Sequence, residues 1–136
     1  MSEHSIFAEW SGEGDHFTGY NPIGPTISID SNKERGISPM ILLLHAEAGC
    51  TGLDVLSLLE KMRQPIKGLK IEVDAVKGDG EFPRIWEKIH LRYIISGAVE
   101  EEKALKAVSL SLEKYCSVSA MLGKSAAITH EVVLQP

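Results

Sequence analysis

Cysteine is scarce in this chain: two of 136 residues, Cys50 and Cys116. That excludes a disulfide-stapled scaffold, and a chain of this length buries a core without staples. Neither CxxC nor HxxxH occurs, and His4, His16, His45, His90 and His130 are scattered, so no zinc-ligand spacing is present. Basic charge is short as well. Fourteen Lys and Arg stand against 19 Asp and Glu, a net charge of −5, which lacks the basic excess of a nucleic-acid binder. The longest unbroken apolar run, Met40 to Leu44, is far below the ~20 residues of a membrane span. Met1-Ser2-Glu3-His4 has neither the basic nor the apolar region of a signal peptide. The expectation is a single cytoplasmic domain over 1–136, without membrane or nucleic-acid partner. No Gly-rich phosphate loop is present either; Gly12-Glu13-Gly14 reads as a hairpin turn.

What is present is an orderly run of elements. Ser5–Trp10 and His16–Tyr20 read as strands around that turn, and Thr26–Asp30 as a third short strand after Pro22 and Gly24-Pro25. Ser31–Gly36 is a polar loop. Ser38-Pro39 then opens a helix, with serine as N-cap and proline where its missing N–H costs nothing. The helix is expected to run to about Gln64. Its first half is apolar all round and so should be buried on every side. Its second half is amphipathic, with Val55, Leu58, Leu59 and Met62 as the apolar stripe. Gly49 and Gly52 weaken it by roughly 1 kcal/mol each against alanine, as glycines kept for close backbone approach do.

Two alternating strands follow, one with Leu69, Ile71, Val73 and Ala75 on one face. The other carries Ile85, Ile89, Leu91, Tyr93 and Ile95 against Lys88, His90 and Arg92. A helix over about Glu100–Tyr115, a short helix from Ser117 to Leu122 and a strand over Ala127–Leu134 complete the chain. The order βββ-α-ββ-α-α-β means α+β with antiparallel sheets, not a βαβ parallel sheet. A helix apolar on all sides in so small a domain is most easily covered by a second copy, which points to a homodimer.

The two thiols sit in unlike surroundings. Cys50 lies within the long helix, and Cys116 at the mouth of the helix beginning near Ser117, where free N–H groups and the dipole favour a thiolate. A lone buried cysteine is usually a small hydrophobe, and composition alone leaves that reading open for each. Three segments shift the balance: Gly49-Cys50-Thr51-Gly52-Leu53-Asp54-Val55, Lys61-Met62-Arg63-Gln64, and Leu112-Glu113-Lys114-Tyr115-Cys116-Ser117-Val118-Ser119. They resemble the signature segments of the OsmC/Ohr family, the osmotically inducible protein C and organic hydroperoxide resistance proteins, and the similarity covers nearly the whole chain.

The resemblance implies an OsmC-like fold: an intertwined homodimer with sheets wrapped around central helices and an active site at each end of the interface. It also implies thiol-dependent reduction of organic hydroperoxides. Cys50 would be the peroxidatic residue and Cys116 the resolving one, their disulfide being reduced by a small or protein dithiol. No metal, haem or flavin cofactor is implied. Family members carry an Asn-Pro-Glu segment whose glutamate orients a catalytic arginine; here Ser38-Pro39-Met40 stands in its place. Glu47, three residues before Cys50 and on its helix face, is the substitute carboxylate. Arg35 is the candidate cation, with Arg63, Arg92 or no arginine at all as alternatives. Met40, Leu43 and Met121 are expected to favour an alkyl or fatty-acid peroxide over hydrogen peroxide. The competing reading is an OsmC-like dimer that binds a small apolar ligand or senses oxidation with little turnover.

Overall fold

The computed structural model describes residues 4–136. The first three residues of Met1-Ser2-Glu3-His4 therefore lie outside the described part. Among the described residues, nine helices and strands run in the expected order, with one π turn that the sequence does not predict. They are β1 (Phe7–Trp10), β2 (His16–Tyr20), β3 (Ile27–Asp30), α1 (Pro39–Lys61), β4 (Ile66–Lys77), β5 (Trp86–Gly97), α2 (Glu101–Leu110), α3 (Ser117–Leu122) and β6 (Ala127–Gln135). A single π turn, Ser111–Tyr115, joins α2 to α3. The chain divides into two compact units between His45 and Ala46, inside α1.

In the N-terminal unit β1, β2 and β3 form an antiparallel meander. Gly12 and Gly14 adopt φ of 92° and 55° in the first turn, the left-handed backbone that glycine takes without strain. Trp10 closes that turn by donating its indole N–H to the Gly14 carbonyl at 2.9 Å. The buried Asp30 orders the next loop, accepting the backbone N–H of Asn32 at 2.9 Å and of Arg35 at 3.2 Å. Ser38 and Pro39 start α1 as the capping pattern requires, with the Leu42 N–H returning to the Ser38 carbonyl at 3.0 Å.

The C-terminal unit is a three-stranded sheet in the order β4–β5–β6. Strand β5 is central and supplies the buried face Ile89, Leu91, Tyr93 and Ile95, the alternation legible in the sequence. Val55 and Leu59 of α1 and Ala104, Ala107 and Val108 of α2 are also fully buried. Each large apolar side chain so enclosed contributes about 1.5–3 kcal/mol. Trp86 takes the buried place expected of Ile85, which is exposed.

Three expectations need correction. Strand β6 pairs parallel to β5, so this sheet is mixed and only β4–β5 is antiparallel. The reason is the long crossover through α2, the π turn and α3, which returns the chain to the end of the sheet where β5 began. The apolar first half of α1 is not buried on every side within one chain: Leu43 is exposed there, as Leu53 and Leu56 are in the second half. Moreover, α1 as a whole is long and apolar enough to cross a membrane, although its longest unbroken apolar run is short. Finally, only one of the two helix glycines has a close neighbour. A Cβ on Gly52 would lie 3.0 Å from Ile71 Cδ1, whereas at Gly49 it would meet open space.

Candidate functional site

Helix α1 presents Glu47, Cys50, Thr51 and Asp54 at spacings i, i+3, i+4 and i+7. Those positions share one face, the stripe that an ordinary helix would fill with leucine. Here it turns four functional side chains toward the π turn and α3. The π turn matters because its wider winding is closed by the Cys116 N–H on the Ser111 carbonyl at 2.7 Å. It ends the helix with Ser111 turned to α1 and Cys116 placed to cap α3. Single π turns of this kind are frequent at functional sites. The sequence pattern alone predicts an ordinary helix to Tyr115.

Cys50 Sγ, Cys116 Sγ and a carboxylate oxygen of Asp54 all lie within 4.8 Å of one another. Both cysteines are free thiols, Cys116 buried and Cys50 half-buried. The pair thus stands within a side-chain adjustment of a disulfide. Two sulfurs and one oxygen also form a donor set suited to a borderline-soft cation such as zinc rather than to magnesium or calcium.

Cys116 occupies the N-cap of α3, and its sulfur accepts the Ser119 N–H at 3.3 Å. The expected thiolate does not follow. Burial pushes the Cys116 thiol up to about 11, outweighing the Ser119 hydrogen bonds that favour ionisation, while Cys50 and Glu47 push it further in the same direction. A six-residue helix has too little dipole to reverse that. Cys116 is held as a neutral thiol.

Glu47 is completely buried. Its two oxygens lie 2.8 and 2.7 Å from the Ser119 hydroxyl, which donates to them, and Cys116 S–H points at Oε2 from 3.6 Å. The structure therefore joins Glu47 to the Cys116 side of the pair. Below it runs a second polar cluster: Thr51 Oγ1 is 2.7 Å from Tyr93 OH and 2.7 Å from Ser111 Oγ, and Ser111 donates to Asp54 Oδ2 at 3.0 Å. Burial raises the Tyr93 phenol well above its ordinary range, so it remains a donor.

Arg35 belongs to the N-terminal unit, where its guanidinium meets the Glu13 carbonyl at 3.0 Å, the Glu13 carboxylate at 3.4 Å and Asp30 at 3.9 Å. Arg92 is on the face of β5 opposite Tyr93, clamped by Glu72 at 2.9 Å and Glu131 at 2.8 Å, which raise its pKa. Arg63 follows α1 at the surface with φ of 57°. Met121 is exposed on α3, and Met40 and Leu43 lie in the N-terminal unit.

Sequence reading overlooked Asp54, Ser111, Ser119 and Tyr93 as site residues. For Asp54 the signal was available in the helical spacing from Cys50. For the others it was not, because their convergence depends on the π turn and on the register of β5.

A family model described as OsmC-like protein matches residues 31–131. The chain belongs to the OsmC-like family. Among relatives, Protein YhfA of Escherichia coli K12 is 38% identical over 120 residues, covering 87% of this chain and 89% of its own. A hypothetical protein from Aquifex aeolicus is 37% identical, with a TM-score of 0.85 over 100% of both chains. An organic hydroperoxide resistance protein OsmC from Legionella pneumophila is 12% identical with a TM-score of 0.70, covering 98% of this chain and 99% of its own. At that identity the likeness is one of fold. The OsmC-like architecture, α+β with two three-stranded sheets and three helices, is thus shared well beyond close relatives.

Proposed function

We propose that this OsmC-like protein is a cytoplasmic dithiol peroxidase for organic hydroperoxides, acting as a homodimer and turned over by a dithiol reductant. The observation that carries the reading is the placement of Cys50 and Cys116 within 4.8 Å of each other, one half-buried and one buried. That asymmetry suits an attacking and a resolving thiol. Cys50 attacks the distal peroxide oxygen, forming an S–O bond as the O–O bond breaks, and becomes a sulfenic acid while the alcohol departs. Cys116 then attacks the Cys50 sulfur; the S–S bond forms and water leaves with the Cys116 proton. Glu47, already facing the Cys116 S–H, is the group to pass that proton to the departing hydroxide. Arg35 is assigned as the cation of the reaction on the family resemblance. The family match at 31–131 spans both compact units, which supports treating 1–136 as one domain.

The test is peroxide consumption by reduced protein with dihydrolipoamide, comparing cumene hydroperoxide with hydrogen peroxide. Rapid turnover that prefers the organic peroxide and vanishes in Cys50→Ser is the expected result. Cys116→Ser should accumulate a Cys50 sulfenic acid that dimedone traps. No turnover by the folded protein sinks the reading. One observation favours ligand binding instead: a cavity of about 510 Å³ in the N-terminal unit, lined by Trp10, Phe17, Ile29 and Pro39 among others. Uptake of a small apolar fluorophore by a protein inert to peroxides would establish that alternative.

A further inference from the structure

The acid that stands beside both sulfurs is Asp54. Glu47 is sealed from solvent and both of its oxygens are engaged by Ser119. Asp54 differs on each count. It is partly exposed, one of its oxygens lies within 4.8 Å of each sulfur, and it lines a cavity of about 300 Å³ with Ser57, Leu58, Lys61 and Tyr115. A gap of that size admits a direct contact after a small shift, or one bridging water, and either serves proton transfer.

The hydroxyls behind Asp54 are polarised in one direction. Ser111 has a single hydroxyl proton and gives it to Asp54. Its 2.7 Å contact with Thr51 must then have Thr51 as donor. By the same count, the 2.7 Å contact between Thr51 and Tyr93 has the phenol as donor. The relay Tyr93 → Thr51 → Ser111 → Asp54 starts inside the core and ends at the carboxylate, with every proton committed. Asp54 is consequently held in place from behind as a proton acceptor, with its front toward the thiols and the cavity.

We propose that Asp54 is the proton-transfer residue of the thiol pair, and this rests on the hydroperoxide reading above. Asp54 takes the proton of Cys50 as the thiol ionises. The thiolate attacks the distal oxygen, sulfur losing two electrons as the O–O bond gains them. The departing alkoxide then takes the proton from Asp54, leaving as the alcohol and restoring the carboxylate. Ser111 is the positioning residue that aims the acid.

The test separates this role from a structural one by changing the leaving group. Asp54→Asn and Ser111→Ala are compared with wild type for reduction of cumene hydroperoxide and of a peroxycarboxylic acid, whose leaving carboxylate needs no proton. Alkylation of Cys50 by iodoacetamide, in which iodide leaves unprotonated, serves as control. Asp54→Asn should lose about 10²-fold on cumene hydroperoxide. It should retain its rate on the peroxyacid and in alkylation within a few-fold, because buffer can take the thiol proton in Asp54's place but cannot reach the alkoxide as it leaves. Ser111→Ala should show the same selectivity at smaller amplitude, which keeps the test open if Asp54→Asn does not fold. Equal loss on both peroxides and in alkylation would overturn the proposal, as would no loss at all. A wild-type protein inert to every peroxide fails in the first arm and overturns the functional reading together with this one.

Discussion

Glu47 has no access to water, so its two oxygens depend on the Ser119 hydroxyl and, at longer range, on the Cys116 thiol. Removing an acceptor from a buried donor costs the desolvation of what is left behind, about 1–3 kcal/mol. Glu47→Ala should lower stability by at least that amount, since it also opens a cavity, and a urea midpoint on the reduced protein measures it. Glu47→Gln keeps one acceptor and should lose less. Cys116 adds a dependence on pH with a definite sign. Its thiol is raised from the ordinary 9.0 to about 11 by burial, so the folded state holds the proton more tightly than the unfolded chain. That preference costs nothing below pH 9 and weakens the fold progressively between about pH 9 and pH 11. Unfolding midpoints at pH 8 and pH 10.5 should therefore converge in Cys116→Ser, which retains a capping oxygen at the same position.

Between elements, the polar chain from Tyr93 to Asp54 links β5, α1 and the π turn. Tyr93→Phe keeps the ring and removes only the donor that satisfies Thr51. It should cost about 1–2 kcal/mol in the same denaturation measurement. Gly52→Leu has a different mechanism: its side chain would press on Ile71 of β4, and overpacking of this kind costs about 1–3 kcal/mol. Much of this arrangement was legible in advance. The Ser38-Pro39 start, the alternation of β5 and the bounds of α3 follow from local chemistry, and the structure has all three. The pairing of Cys50 with Cys116 came from the family resemblance. What sequence could not show is decided by long-range geometry. The parallel docking of β6 depends on the length of the crossover, the π turn on how α2 ends against α1, and the neutral state of Cys116 on how deeply the thiol is buried. The helix mouth does not make Cys116 a thiolate for that last reason: a few hydrogen bonds at a short helix do not offset desolvation.

At the scale of the molecule, α1 is the element with unfinished business. Of its most apolar stretch, long enough to span a membrane, only 17% is made up of buried residues, and Leu53 and Leu56 of the same helix are exposed. Leaving such a face in water is unfavourable by roughly 25 cal/mol per Å² of apolar surface that a partner could cover. The chain's net charge of −5 gives an anionic lipid surface no electrostatic help. A second copy of α1 is the economical cover, because a two-fold axis lets one apolar patch bury its own duplicate. Sedimentation equilibrium should therefore report a dimer, and Leu53→Glu with Leu56→Glu should shift it to monomer. If the same helix instead served a lipid surface, the wild-type protein would pellet with neutral vesicles and sediment as a monomer without them. The two leucines lie on the same helix as Cys50, three and six residues further along, so dissociation should be accompanied by loss of peroxide turnover while Cys50 remains open to alkylation.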